Sequence, residues 1–148
     1  MSEDYLELLK SADSAIYTER LPGFNRKKAD AKFNDFVKAL ERRLSCALPD
    51  KENCIDIQDA SFHGMVFLPY EFLTEEYRAS VRVSNFGNFA TVYDADEVVQ
   101  PRILAIIKEL LAEFGYIYIP TEMLNEPYTG QNPVIGFRTW GDRYFDWT

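Results

Sequence analysis

The amino-acid sequence predicts an α+β fold in a single domain, 1–148, with a mostly antiparallel sheet covered by helices on one face. Three observations predict this class: two amphipathic helical patterns at the start, strand-like alternation around a central hairpin, and one long apolar helix after it. Helical and strand-like segments are segregated, whereas a parallel sheet would need more crossover helices than 148 residues can supply. A hydrophobic content of 47% is sufficient for a well-filled core.

The first two elements are predicted to be helices. Ser2 can cap the first, whose apolar stripe extends to Ile16 and is followed by a helix-breaking Leu-Pro-Gly sequence. The second is predicted from about Ala29 to Cys46, because apolar residues recur at helical spacing: Phe33, Phe36, Val37, Leu40 and Leu44.

The middle of the chain predicts strands and a hairpin. Ile55 and Ile57 alternate with polar residues, and the run from Phe62 to Leu68 is rich in strand formers. The segment ASVRVSNFGNFATVYD predicts a hairpin whose turn is the central Gly-Asn pair, since glycine supplies a positive φ and asparagine tolerates it. A two-residue turn at this pair predicts that Val83 lies opposite Val92.

A long helix is predicted from about Val98 to Phe114. Pro101 is acceptable only in a first turn, so the regular helix starts close to it, and Gly115 is the natural residue after its C-terminal end. The apolar residues of this segment cover more than one face. We therefore expect it to be the most buried helix and to pack on the sheet.

The last ten residues, TWGDRYFDWT, contain both tryptophans of the chain. Trp140 and Tyr144 share one helical face, and Thr139 with Asp142 matches a capping box, so we expect a short terminal helix that closes the core. On this interpretation the remaining side chains divide into three that face water and two candidate surface anchors: Asp142, Arg143 and Asp146, then Phe145 and Trp147.

The charge balance is acidic, with 16 Lys and Arg against 24 Asp and Glu and a net charge of −8. This balance disfavours nucleic-acid binding, which depends on basic residues that neutralise phosphates. No apolar run approaches the roughly 20 residues that span a bilayer, and the N-terminal residues are acidic where a signal peptide is basic. We therefore expect a cytoplasmic protein with no membrane or nucleic-acid partner.

The sequence contains no recognisable catalytic, nucleotide-binding or metal-binding motif. His63 is the single histidine, and Cys46 and Cys54 are interpreted as free thiols, so we expect no metal, no cofactor and no enzymatic activity. The acidic run DADE, 94–97, is interpreted as helix N-terminal capping rather than a cation site. The basic run 26–28 is interpreted as a solvated helix entrance, with a docking patch as the alternative.

The segment from Gly115 to Thr148 contains the aromatic-rich strings GYIYIP, EPYTG and TWGDRYFDW. These strings resemble the C-terminal part of small bacterial immunity proteins of polymorphic or contact-dependent toxin systems. The resemblance implies a cytoplasmic antitoxin that blocks a toxin domain by binding and has no chemistry of its own. The acidic charge is compatible with a basic, nucleic-acid-cleaving toxin domain, because complementary charges accelerate encounter.

The leading hypothesis is therefore a non-enzymatic protein-binding module, an immunity protein that neutralises a cognate toxin by occluding its active surface. Its candidate partner contacts are acidic residues and one tryptophan: Asp94, Asp96, Glu97, Asp142, Asp146 and Trp147. One alternative is a small enzyme or ligand-binding domain whose pocket uses tyrosines or the histidine: Tyr116, Tyr118, Tyr128 or His63. Another is a structural subunit of a larger complex.

Deletion of residues 139–148 should destabilise the fold, because the deletion removes large aromatic side chains from the core. Thermal unfolding followed by circular dichroism should show a lower midpoint than that of the full-length protein. Equal midpoints would show that the tail does not belong to the core.

Overall fold

The computed structural model describes residues 2–17, 22–48, 51–53, 62–74, 79–93, 96–132 and 137–145. Within these residues the protein has an α+β fold with five α-helices and a five-stranded sheet. The helices are α1 (Ser2–Ser11), α2 (Arg26–Leu44), α3 (Pro101–Glu113), α4 (Thr121–Leu124) and α5 (Trp140–Phe145). The strands are β1 (Lys51–Asn53), β2 (Phe62–Phe67), β3 (Ser80–Ser84), β4 (Phe89–Tyr93) and β5 (Ile117–Tyr118). The predicted strand at Ile55 and Ile57 falls outside the described residues.

The strands lie in the order β1-β2-β3-β4-β5. The first four pair antiparallel, which confirms the mostly antiparallel sheet with a central hairpin. β5 pairs parallel to β4, because α3 carries the chain back along the sheet between these two strands.

Helices cover both faces of the sheet, rather than one face as predicted. The first face carries Val66, Val81 and Val92, which pack in one core cluster with residues of α2 and α3. The opposite face carries Met65 and Phe89, which form a second cluster with residues of α1, α4 and α5. β3 is therefore buried along its whole length although its sequence, SVRVS, alternates polar and apolar residues. This alternation is typical of a strand with one solvated face, which is why the sequence did not predict the second layer.

The hairpin turn forms where it was predicted, but the strand register differs. Gly87 and Asn88 both have positive φ, +61° and +56°, and the Phe89 N–H donates to the Phe86 carbonyl oxygen across the turn. Val83, however, pairs with Ala90 rather than Val92. Compared with the predicted register, β3 has two more residues, 84 and 85, between the Val83–Ala90 pair and the turn. The shift is even, so each side chain remains on its predicted face.

The ends of α3 follow the local signals, whereas α2 begins at Arg26, before the predicted Ala29, because the Asn25 side chain caps it, and α1 ends earlier than predicted. α3 begins at Pro101, and Gly115 follows its C-terminal end with φ of +81°, as predicted. The apolar stripe predicts that α1 extends to Ile16, but this helix ends at Ser11, whose hydroxyl donates to the Leu8 carbonyl oxygen at 2.9 Å. Ile16 lies beyond the helix and is 79% exposed.

The most buried helix of the described chain is α5, not α3. Every residue of α5 is buried, whereas α3 buries one face through Ile103, Ile107, Leu110 and Leu111. Trp140 and Tyr144 are fully buried, which confirms their predicted place in the core. The prediction that Asp142 and Arg143 face water is wrong, as is the surface position of Phe145, because α5 is enclosed by other segments on every side.

Substitution of Gly87 by alanine should destabilise the protein more than the same substitution at Gly23. Both glycines have positive φ, but a Cβ at Gly87 would lie 2.7 Å from the Phe89 ring, whereas a Cβ at Gly23 meets nothing within 4 Å. We expect a loss of about 1 kcal/mol for Gly23→Ala and about 1–3 kcal/mol more for Gly87→Ala. Urea unfolding of both variants measures the difference, and equal losses would contradict the steric argument.

Candidate functional site

A buried ion pair joins the C-terminal helix to the loop that follows α1. The Nε of Arg143 donates to Oδ1 of Asp13 at 2.7 Å, and the side chains are 0% and 1% exposed. A terminal nitrogen of the same guanidinium donates to the Tyr17 carbonyl oxygen at 2.9 Å. Because the pair is shielded from solvent, its attraction is screened far less than that of a surface salt bridge.

The Asp13 carboxylate accepts three further hydrogen bonds. Its Oδ2 accepts from the Tyr128 hydroxyl at 2.6 Å and from the Gln131 N–H at 2.8 Å, and its Oδ1 accepts from the Ser14 N–H at 2.9 Å. Burial acts to raise the pKa of Asp13, but these hydrogen bonds and the Arg143 charge outweigh it and hold the pKa below its ordinary value. Asp13 is thus ionised at neutral pH and acts as a structural anchor.

Aromatic rings surround the guanidinium of Arg143. Its central carbon lies 4.5 Å from the centroid of Phe86, 5.2 Å from that of Tyr144 and 5.5 Å from that of Phe137. The negative faces of such rings attract a cation, and the effect is larger when the cation is desolvated. The sequence pattern predicted that Arg143 faces water, and it therefore predicted neither the ring contacts nor the ion pair.

The segment from Asp13 to Tyr17, which we call the anchored loop, is fixed by its own hydrogen bonds and by the ion pair. The Ser14 hydroxyl oxygen accepts from the backbone N–H groups of Ile16 and Tyr17 at 3.2 Å and 3.1 Å. The side-chain nitrogen of Asn132 donates to the carbonyl oxygens of Ser14 and Tyr17 at 2.8 Å and 3.2 Å. The loop therefore holds two large side chains toward solvent, with Ile16 79% and Tyr17 40% exposed.

The acidic residues predicted as partner contacts occupy different environments. Glu97 is exposed in a short 3₁₀ turn, Asp96–Val98. Asp142 is buried, and its Oδ2 accepts from the N–H groups of Arg138 and Thr139 at 3.0 Å and 3.1 Å. The Asp142 N–H in turn donates to the Thr139 hydroxyl oxygen at 3.2 Å, which confirms the predicted capping box. No hydrogen bond or salt bridge in the described chain joins Glu97 to Asp142.

The other predicted contacts lie outside what the structure describes. These are Asp94, Asp146 and Trp147, together with the side chain of Asp96, for which only the backbone is described. The side chain of His63, one of the pocket candidates, also lies outside the described part.

The three candidate tyrosines are not brought together. Tyr116 lines a cavity beside α2, Tyr118 lies under the ammonium group of Lys108, and Tyr128 binds Asp13. Burial raises the pKa of Tyr116, and burial together with the hydrogen bond to Asp13 raises the pKa of Tyr128, so both hydroxyls stay protonated. A tyrosine that stays protonated can donate a hydrogen bond but is a poor base.

In the part of the chain that the structure describes, no group of three or more His, Cys, Asp or Glu side chains could hold a metal ion. The described helices also include none that is long and apolar enough to cross a membrane. Comparison with known proteins adds no relative: no family model, no curated protein and no solved structure matches this chain.

Asp13→Asn should destabilise the protein by about 3–5 kcal/mol at neutral pH, because the substitution leaves the Arg143 charge buried without its counterion. The pKa of Asp13 is lower in the folded than in the unfolded state. The ion pair therefore contributes fully above the ordinary aspartate pKa, and its contribution is lost as pH falls through the folded-state pKa. Urea unfolding should show a constant difference between wild type and variant at neutral pH that shrinks in acid. Asp35→Asn, at an exposed position on α2, is the control; equal losses for both variants would contradict the role of the ion pair.

Proposed function

We propose that this protein is a non-enzymatic protein-binding module and that the anchored loop is part of its contact surface. The observation that supports this proposal is the exposure of Ile16 on a loop whose backbone is held by a buried ion pair. A large apolar side chain in water gains free energy when a partner covers it. A loop that is already ordered also loses little conformational entropy on binding, so more of that gain becomes affinity.

The partner that fits this chain best is a protein with a basic surface. The net charge of −8 creates a field that accelerates encounter with positive surfaces. Glu97 is exposed and is the described member of the predicted acidic contacts that is free to take part. Asp142 is a weaker candidate than the sequence indicated, since its carboxylate caps α5. Contacts through Asp94, Asp96, Asp146 and Trp147 stay predictions.

Together with the resemblance of residues 115–148 to immunity proteins, these features support an antitoxin role in the cytoplasm. The chain would cover the active surface of a basic, nucleic-acid-cleaving toxin domain. The proposal requires no catalytic group, and the two buried carboxylates described above, Asp13 and Asp142, both have structural roles.

A ligand-binding domain is the second candidate function. The observation that favours it is the cavity beside Tyr116, one of the tyrosines predicted to line a pocket. The two functions use different surfaces and can be tested separately.

The protein-binding proposal predicts that an adjacent gene encodes a large secreted protein, and the test is complex formation with the C-terminal domain of that protein. Co-expression followed by size-exclusion chromatography should yield a stable complex, and the chain should restore growth to cells that express that domain. Co-elution without protection would refute the antitoxin role, and the absence of a complex would refute the proposed partner.

Ile16→Ser should weaken binding to that domain about thirtyfold, which corresponds to the loss of a contact worth about 2 kcal/mol. Its thermal midpoint should stay unchanged, because Ile16 contacts little of the folded chain. Ile117→Ser alters the same residue type at another exposed position, 37% exposed on β5, and is the matched control. Isothermal titration calorimetry measures both affinities, and equal values would exclude the anchored loop from the interface.

A further inference from the structure

A cavity of about 410 Å³ lies between the start of α2, the turn of the β3–β4 hairpin and Tyr116. Cavities of this size accommodate small organic molecules. Its walls combine apolar surface from Phe24, Ala29 and Val83 with polar side chains that converge on the same space. The anchored loop contributes nothing to these walls, so the cavity is a separate feature of the molecule.

The charged groups of the cavity are both positive. Lys28 and Lys32 line it from one face of α2, and none of the described lining residues is Asp or Glu. No acidic side chain of the described chain forms a salt bridge with either lysine. Like charges four residues apart on a helix repel one another. Although the chain has 24 acidic residues, the two lysines create a local positive potential in the cavity that no described carboxylate neutralises.

The position of Lys32 is fixed by its neighbours rather than by a carboxylate. Its Nζ lies 4.1 Å from the centroid of the Tyr116 ring and 3.5 Å from Oδ1 of Asn88. Burial lowers the pKa of Lys32, and the charge of Lys28 lowers it further. An anion bound between the two ammonium groups would oppose this lowering of the pKa, because it supplies an opposite charge.

Tyr116 supplies a neutral donor to the same space. The side chain is nine-tenths buried, with 8% of the residue exposed, and its ring packs edge-on against Phe36 at 6.0 Å. Its hydroxyl is not among the buried, unpaired polar atoms of the described chain, so a ligand in the cavity can reach it. A phenol beside an ammonium group is a suitable donor to a carboxylate or phosphate oxygen.

We propose that this cavity binds a small organic oxyanion, a carboxylate or a phosphate monoester, between Lys28, Lys32 and the Tyr116 hydroxyl. The two lysines bind the charged group, and the apolar wall contacts the carbon skeleton. The basic run 26–28, interpreted from sequence as a solvated helix entrance, contributes Lys28 to this site.

Titration with phenyl phosphate and with benzoate, followed by calorimetry and by ¹H–¹⁵N spectra, tests the proposal. At least one probe should saturate and shift the backbone amides of Lys32, Gly87 and Asn88. Tighter binding of phenyl phosphate assigns the site to phosphate monoesters, and tighter binding of benzoate assigns it to carboxylates. Phenol, which lacks the charge, should not bind. No saturation at millimolar concentrations, or equal binding of phenol, would overturn the proposal.

Lys28→Gln, Lys32→Gln and Tyr116→Phe should each weaken the better probe about tenfold, since each removes one hydrogen bond to a charged group. Lys108→Gln is the matched control, because Lys108 lies 4.9 Å from the ring centroid of Tyr118 outside the cavity. Thermal melts verify that the variants fold, and Lys28 is exposed enough that its variant should melt like the wild type. Unchanged affinity in Lys28→Gln and Lys32→Gln would overturn the assignment.

Discussion

The buried ion pair between Asp13 and Arg143 is the interaction on which the second helical layer depends. It connects the loop after α1 to α5, two segments from opposite ends of the chain. Neither charge is accessible to water, so each is stable only with partners inside the protein. Tyr128 and Gln131 donate further hydrogen bonds to the Asp13 carboxylate, and the Tyr17 carbonyl oxygen accepts a second hydrogen bond from Arg143. The same contacts order the anchored loop, so the ion pair that stabilises the fold also positions the proposed binding surface.

The second layer also explains why the polar side of β3 is buried. Arg82 donates to the Phe145 carbonyl oxygen at 2.8 Å, and the Ser84 hydroxyl donates to that of Tyr144 at 2.8 Å. These side chains satisfy carbonyls at the end of α5 that have no partner within the helix. Because Ser84 also lines the cavity, the end of β3 supports α5 on one side and the proposed oxyanion site on the other.

Local sequence signals predicted the parts of the structure that depend on near neighbours. The positive φ at Gly87 and Asn88, the start of α3 at Pro101 and the capping box of α5 follow from residues within one turn of each other. The hairpin register was missed because the residues inserted before the turn are stabilised by α5, a distant element. For the candidate sites, sequence reasoning found Tyr116 but not Lys32 or Asp13. Asp13 is separated from Arg143 by 130 positions, and no local pattern connects them.

The sequence by itself determined the α+β class, the ends of α3, the turn and the place of Trp140 and Tyr144 in the core. Each of these depends on periodicity, backbone preference or hydrophobicity, which are properties of neighbouring residues. Only the tertiary structure decided that Arg143 is buried, that both sheet faces are covered and that two lysines share one cavity. A charged side chain is buried or exposed according to its partners in space, and those partners come from parts of the chain that no sequence window contains together.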